Sequence, residues 1–243
     1  MEISVAAEQV GTLFGIVPIT NSLLVTWMIM AVILVISIVI KTGINIIPSP
    51  IQNFAEFFYE ESYKFVEGVL GEHTSIVYPF AITFFFFIAI GNLAGLLPGV
   101  GSVTIAAEHH GEHVLLPLFR ALTADLNLTF ALAMIAIVAN QYFAIKVVGI
   151  KKYLHKFFDF SSPINFFVGM LEIVSEFSKI LSFSFRLFGN IFAGEVLLTV
   201  IYVLVPFFIP IPFLLMEIFV GLMQAFVFSL LFIVFIKVSV AEH

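Results

Sequence analysis

The sequence predicts an all-α membrane protein with about five membrane-crossing helices and one amphipathic surface helix, ending in a long tilted helical hairpin. Three observations carry this. Of the 243 residues 61% are hydrophobic and 11% charged, with mean hydropathy +1.16, whereas about a quarter of a globular protein is charged. Such a chain lacks the polar side chains to cover a water-facing surface, so its solvent is largely lipid. Second, several apolar runs reach the roughly 20 residues that cross a hydrocarbon core. Third, the 26 charged residues collect between these runs, apart from a few inside the last hairpin. There each costs a few kcal/mol unless paired or hydrated.

The chain reads as a single membrane domain over 1–243, without a fixed-period repeat. In 1–50, a span runs from about Leu23 to Ile40 and is followed by Lys41. No Lys or Arg precedes it, so this end does not resemble a cleaved signal peptide. In 51–75, Phe54, Phe57, Phe58 and Phe65 alternate with Glu56, Glu60, Glu61, Lys64 and Glu67, the pattern of a helix lying on the membrane surface. In 76–160, spans near Ile76–Leu97 and Asp125–Val148 are separated by Pro98, Gly99, Gly101 and Pro117. In 161–243, apolar sequence continues from Pro163 to Val205; as one helix it would extend about 63 Å, twice the hydrocarbon thickness. A tilted helix is favoured over a break near Gly189 or Gly194. Pro206, Pro210 and Pro212 turn the chain, and Phe213–Val238 returns it.

Basic residues orient these spans. Lys41, Lys64, Lys146, Lys151, Lys152, Lys156 and Lys237 fall on one side, and Arg120 alone on the other. This predicts an external N-terminus and a cytoplasmic C-terminus.

Composition and motifs exclude other chemistry. A net charge of −6 provides no basic surface for nucleic acid, and the absence of cysteine removes disulfides, thiolate metal sites and thiol nucleophiles. Glu108, His109, His110, Glu112 and His113 have metal-ligand chemistry but no helical spacing to fix it, and read as a hydrated loop. Gly91, Gly95, Gly99 and Gly101 are followed by no GK[ST], so no nucleotide site is expected. Asp125 and Asn127 read as an N-cap and its neighbour, with a role on the outer side secondary.

Inside the hairpin, Glu172, Ser175, Lys179, Ser182, Arg186 and Asn190 recur at helical spacing and form one polar stripe. It must face protein or water. Arg186 is a permanent cation and needs an anion. One reading makes it a structural ion-pair residue with Glu195 or Glu217, although Glu195 points about 180° away and lies about 13 Å along the axis. On the returning arm Glu217 and Gln224 share a face. Setting Gln224 beside Arg186, or Glu217 beside Glu195, places the turn within a residue of Pro206 either way. A shared carboxylate site would make at least one member a proton carrier, unless it simply faces water. Glu176, about 80° off the stripe, reads as an ion-pair partner of Lys179.

The segments KILSFSFRLFGNIFAGE (from Lys179), LMQAF (around Gln224) and TADLNLT (from Thr123) closely resemble subunit a of the F-type ATP synthase membrane sector, in its bacterial form. The likeness extends from GNLAGLLP at Gly91 to the C-terminus, and RLFGN-x4-E is specific to that family. The resemblance implies a non-catalytic stator with two offset half-channels, facing a rotating c-ring and held by peripheral-stalk b subunits in the bacterial inner membrane. Arg186 would be the essential cation favouring ionisation of the ring carboxylate. Asn190, Glu195, Glu217 and Gln224 would line the outer path or brace the arginine, with Glu172, Ser175 and Ser182 on the inner path. The position of Glu217 varies between acid and histidine in that family. No cofactor, metal or bound nucleotide is implied, and the ion is a proton or sodium. The rival classes are a secondary antiporter, which would show internal repeats and broken helices, and a structural anchor, which leaves the stripe unexplained.

Overall fold

The computed structural model describes residues 9–13, 17–97, 104–109, 112–117, 120–157, 161–205 and 208–241. Helix α1 spans Asn21–Thr42 and begins where the Thr20 hydroxyl accepts the Leu23 N–H at 3.3 Å. Val25 and Ile29 pack on Leu122 and α3. Leu34, Val35 and Val39 stay exposed, as suits a lipid-facing surface.

Helix α2 (Pro50–Leu70) starts with Ser49 capping Gln52 and Pro50 in the first turn, where its missing N–H is not needed. It ends at Gly71, whose φ of +61° favours glycine. A 3₁₀ turn, Gly71–His73, leads into α3 (Thr74–Gly95). The apolar face of α2 lies on α3 and α7: Ser62 hydrogen-bonds the Tyr78 hydroxyl at 2.7 Å, and Phe65 meets Phe226 at 5.8 Å. Glu56, Glu60, Glu61 and Glu67 face outward.

Helix α4 (Leu126–Val148) has the expected cap, with Asp125 accepting the Asn127 N–H at 3.0 Å. Helix α6 (Pro163–Leu204) is one unbroken helix of 42 residues, so neither Gly189 nor Gly194 interrupts it. Helix α7 (Pro210–Ala241) takes Pro210 and Pro212 into its first turn instead of the preceding loop. That turn needs no N–H donors within the helix, so both prolines fit. Pro206, the expected turning point, lies outside the described residues. Among the described residues five stretches are long and apolar enough to cross a membrane: 21–42, 50–95 (α2 and α3 together), 126–148, 163–204 and 210–240.

Three elements were not legible in composition. Strands β1 (Gln9–Leu13) and β2 (Val17–Thr20) form an antiparallel hairpin, as do β3 (Thr104–His109) and β4 (Glu112–Pro117). The Glu108 to His113 region is thus a strand pair carried to His109↔Glu112, not an irregular loop. Its hydrophobic alternation is too short, and its tip too charged, to stand out in the sequence. The third is α5 (Ile150–Phe157), a short helix that buries Tyr153.

The core joins α3, α4, α6 and α7. Phe183 meets Phe228 edge-on at 4.8 Å, and Phe84 and Phe143 both contact Phe232. Lipid tails are as apolar as these side chains, so close packing holds the helices together. Gly91 and Gly95 permit it on α3, because a Cβ there would stand 2.8 Å from Leu122 and 2.5 Å from Ala121. This close approach seats the segment before α4 beside the hairpin.

Candidate functional site

Helix α6 packs through Phe183, Ser184, Leu187 and Ile191, which are buried, and leaves its opposite face open. Arg186 stands on that open face, among the exposed side chains of Leu181 and Phe185. Its Nη2 donates to Ser182 Oγ at 3.3 Å, one turn away. Among the described residues no carboxylate pairs with it. The structural ion-pair reading with Glu195 or Glu217 is therefore not realised among the described residues.

The stripe is straight, yet its surroundings change along its length. At the end nearest the start of α6, α4 and α5 cover its edge. There Glu172 pairs with Lys156 at 2.8 Å. Lys179 pairs with Glu176 at 2.7 Å, as the spacing predicted, and Glu176 accepts from Gln141 Nε2 at 2.8 Å. Lys179 also lies 5.1 Å from the centre of the Phe235 ring. Ser175 is half-buried between these pairs, while Ser182, Arg186 and Asn190 are exposed. One face of a helix thus holds a neutralised N-terminal part and an open cation.

Toward the C-terminal end of α6, Asn190 Nδ2 donates to Gln224 Oε1 at 2.6 Å, so Gln224 bonds one turn from Arg186 and not Arg186 itself. Glu217 is buried and presses on Gly194, where any Cβ would collide with its carboxylate. It also lies close enough to Glu195 for their charges to interact.

Arg120 was legible only as a topology marker; the structure brings it to the site. Its side chain is 6% exposed, and its Nε lies 3.7 Å from Glu195 Oε2. The signal was available, since a sole basic residue on its side of the membrane, close to a chain of intramembrane carboxylates, has reason to be paired. Around it, Asn92 donates to the Gly221 carbonyl at 2.9 Å and accepts from Thr123 Oγ1, tying α3 and α7 to the turn before α4. Ser22 Oγ donates to Asp125 Oδ2 at 2.6 Å, and Thr129 hydrogen-bonds Ser184 at 3.3 Å. Buried polar groups therefore run between the helices from Ser22 toward Glu195.

The family model for the ATP synthase A chain matches residues 23–237. The chain is 34% identical over 220 residues to the ATP synthase subunit a of Geotalea daltonii, covering 89% of this chain and 86% of that one. It is 31% identical over 229 residues to that of Moorella thermoacetica, covering 94% of each. With the subunit of Legionella pneumophila it shares 29% over 230 residues, covering 94% of this chain and 90% of the other. The chain belongs to the ATP synthase A chain family.

As a member of this family it is a multi-pass, non-catalytic membrane subunit with a proton-translocating role in ATP synthesis. The family match takes in α1 to α6 and most of α7, so the open arginine, the Asn190–Gln224 bridge and the Arg120, Glu195 and Glu217 group all lie within it. For an A chain the geometry separates three environments along one hairpin: paired charges toward the start of α6, an exposed cation, and a buried carboxylate nearer the turn into α7.

Proposed function

We propose that this chain is the stator subunit that passes protons through two offset half-channels to the carboxylates of a rotating c-ring. The observation that carries the reading is Arg186, a permanent cation on the unpacked face of α6 with no carboxylate among the described residues paired with it. Intramembrane charge requires a counter-charge, and the missing one belongs on a partner facing this helix. The ring carboxylate supplies it. Beside Arg186 that carboxylate ionises, and its proton leaves toward the inner side. Arg186 keeps its own proton under all physiological conditions, so it relays nothing and separates the two half-channels.

On the outer path Glu195 and Glu217 take and release the proton, Arg120 positions Glu195, and Asn190 with Gln224 braces the approach to Arg186. Glu172, Ser175 and Ser182 belong to the inner path, with Lys156 holding Glu172 at its inner edge. Peripheral-stalk b subunits hold the chain against rotation in the bacterial inner membrane, with the N-terminus outside and the C-terminus in the cytoplasm. The ion is a proton; sodium is the alternative, distinguished by sodium dependence of coupling. One charge crossing 100 mV gains about 2.3 kcal/mol, so several protons drive each ATP.

The deciding experiment replaces Arg186 with Ala in membrane vesicles containing the assembled synthase. Proton-driven ATP synthesis is expected to disappear while passive proton permeability persists or rises. Normal coupled synthesis in this variant overturns the mechanism.

A further inference from the structure

A cavity of about 280 Å³ lies between α2, α3 and α7, away from the ion path. Phe58, Phe65, Phe85, Phe226 and Ile233 give it an almost wholly apolar wall. Four polar residues interrupt that wall, of which Ser62 and Tyr78 hydrogen-bond each other. Ser229, only 7% exposed, lines it with a hydroxyl that has no hydrogen-bond partner among the described residues. Glu61 stands at its α2 side, exposed and 2.9 Å from Lys64. A buried hydroxyl is ordinarily hydrogen-bonded, so the pocket offers an unused contact in an otherwise greasy slot.

We propose that this pocket holds one acyl chain of a phospholipid whose headgroup carries an ammonium, an ethanolamine lipid, with Ser229 donating to an ester carbonyl and Glu61 meeting the ammonium. The almost wholly apolar wall suits a hydrocarbon chain. The surroundings select a lipid, because α2 is the amphipathic helix whose Phe54 and Phe57 remain exposed beside the pocket. Charge selects the headgroup. The outer face of α2 carries Glu56, Glu60, Glu61 and Glu67 against Lys64 alone, which repels phosphatidylglycerol and attracts a lipid presenting a cation.

The test uses the full-length chain, with the subunits that co-purify, in vesicles of ethanolamine and glycerol phospholipids doped with photoactivatable-acyl probes of either headgroup. Cross-links are expected at the α2, α3 and α7 lining above the level at the lipid-facing Val35 and Val39 of α1, with the ethanolamine probe favoured about threefold, as one exposed ion pair allows. Glu61→Gln, a change at an exposed position, removes the headgroup preference and leaves the acyl cross-link. Ser229→Phe fills the slot and removes the cross-link while labelling of α1 persists. Labelling no higher than at α1, equal labelling by both probes, or cross-links from the pocket to a protein partner would each overturn the proposal.

Discussion

Gly194 illustrates how one missing methyl group shapes the outer part of the hairpin. The Glu217 carboxylate occupies the space a Cβ would take. Gly194→Ala is therefore expected to displace Glu217, cost about 1–3 kcal/mol through overpacking, and lower proton flux measured by fluorescence quenching in vesicles. Gly68 on the exposed face of α2 has nothing within 4 Å of a built Cβ, so Gly68→Ala should be neutral or stabilise by about 0.5–1 kcal/mol. Thermal unfolding of the two variants checks the contrast. Arg120 and Glu195 provide a second test at this scale. If their 3.7 Å approach is functional, Arg120→Gln and Glu195→Gln combined should fall short of additivity by about 0.5–3 kcal/mol in the logarithm of proton flux. Additive effects would separate the two residues. Spacing set Glu217 level with Glu195, but neither the seat of its carboxylate on Gly194 nor the Arg120–Glu195 pair was readable from it, because each depends on packing between different segments.

At the scale of elements, α5 acts as a clasp on the N-terminal part of α6. It is joined by the Lys156–Glu172 pair at 2.8 Å and by the close approach of Gly169 to the Phe157 carbonyl. Eight residues make only two turns, too few for a helix stable by itself, so its order depends on these contacts. Lys156→Ala should raise amide hydrogen exchange across Ile150–Phe157 while leaving α4 and the centre of α6 protected. Unchanged exchange would mean that packing of Tyr153 alone holds α5. The longer helices were legible because apolar length is a property of each segment, and α6 follows its expected bounds to within a residue. Element α5 and the strand pairs were not, since short segments acquire their structure from what they pack against.

Taken as a whole molecule, the hairpin and its neighbours place charges of different character at successive depths. The proposed orientation is testable in this chain with little background, because it contains no cysteine. A cysteine replacing exposed Lys151 should react with a membrane-impermeant maleimide only from the cytoplasmic side, and one replacing exposed Thr104 only from the outside. The reverse pattern would invert the proposed topology and exchange the two half-channels. The positive-inside asymmetry that supports this orientation is additive over the chain and needs no tertiary contact to read.

Composition, apolar run length and helical periodicity determined by themselves that this is a multi-span helical membrane protein carrying a polar stripe around Arg186. Each is set by neighbours along one helix, where geometry repeats every 3.6 residues. Only the tertiary structure decided that Gln224 meets Asn190 one turn from Arg186, that Arg120 approaches Glu195, and that Arg186 has no carboxylate partner among the described residues. These depend on how separate segments pack, including the glycines that let helices approach closely. Such contacts join different segments, and periodicity within one segment does not identify them.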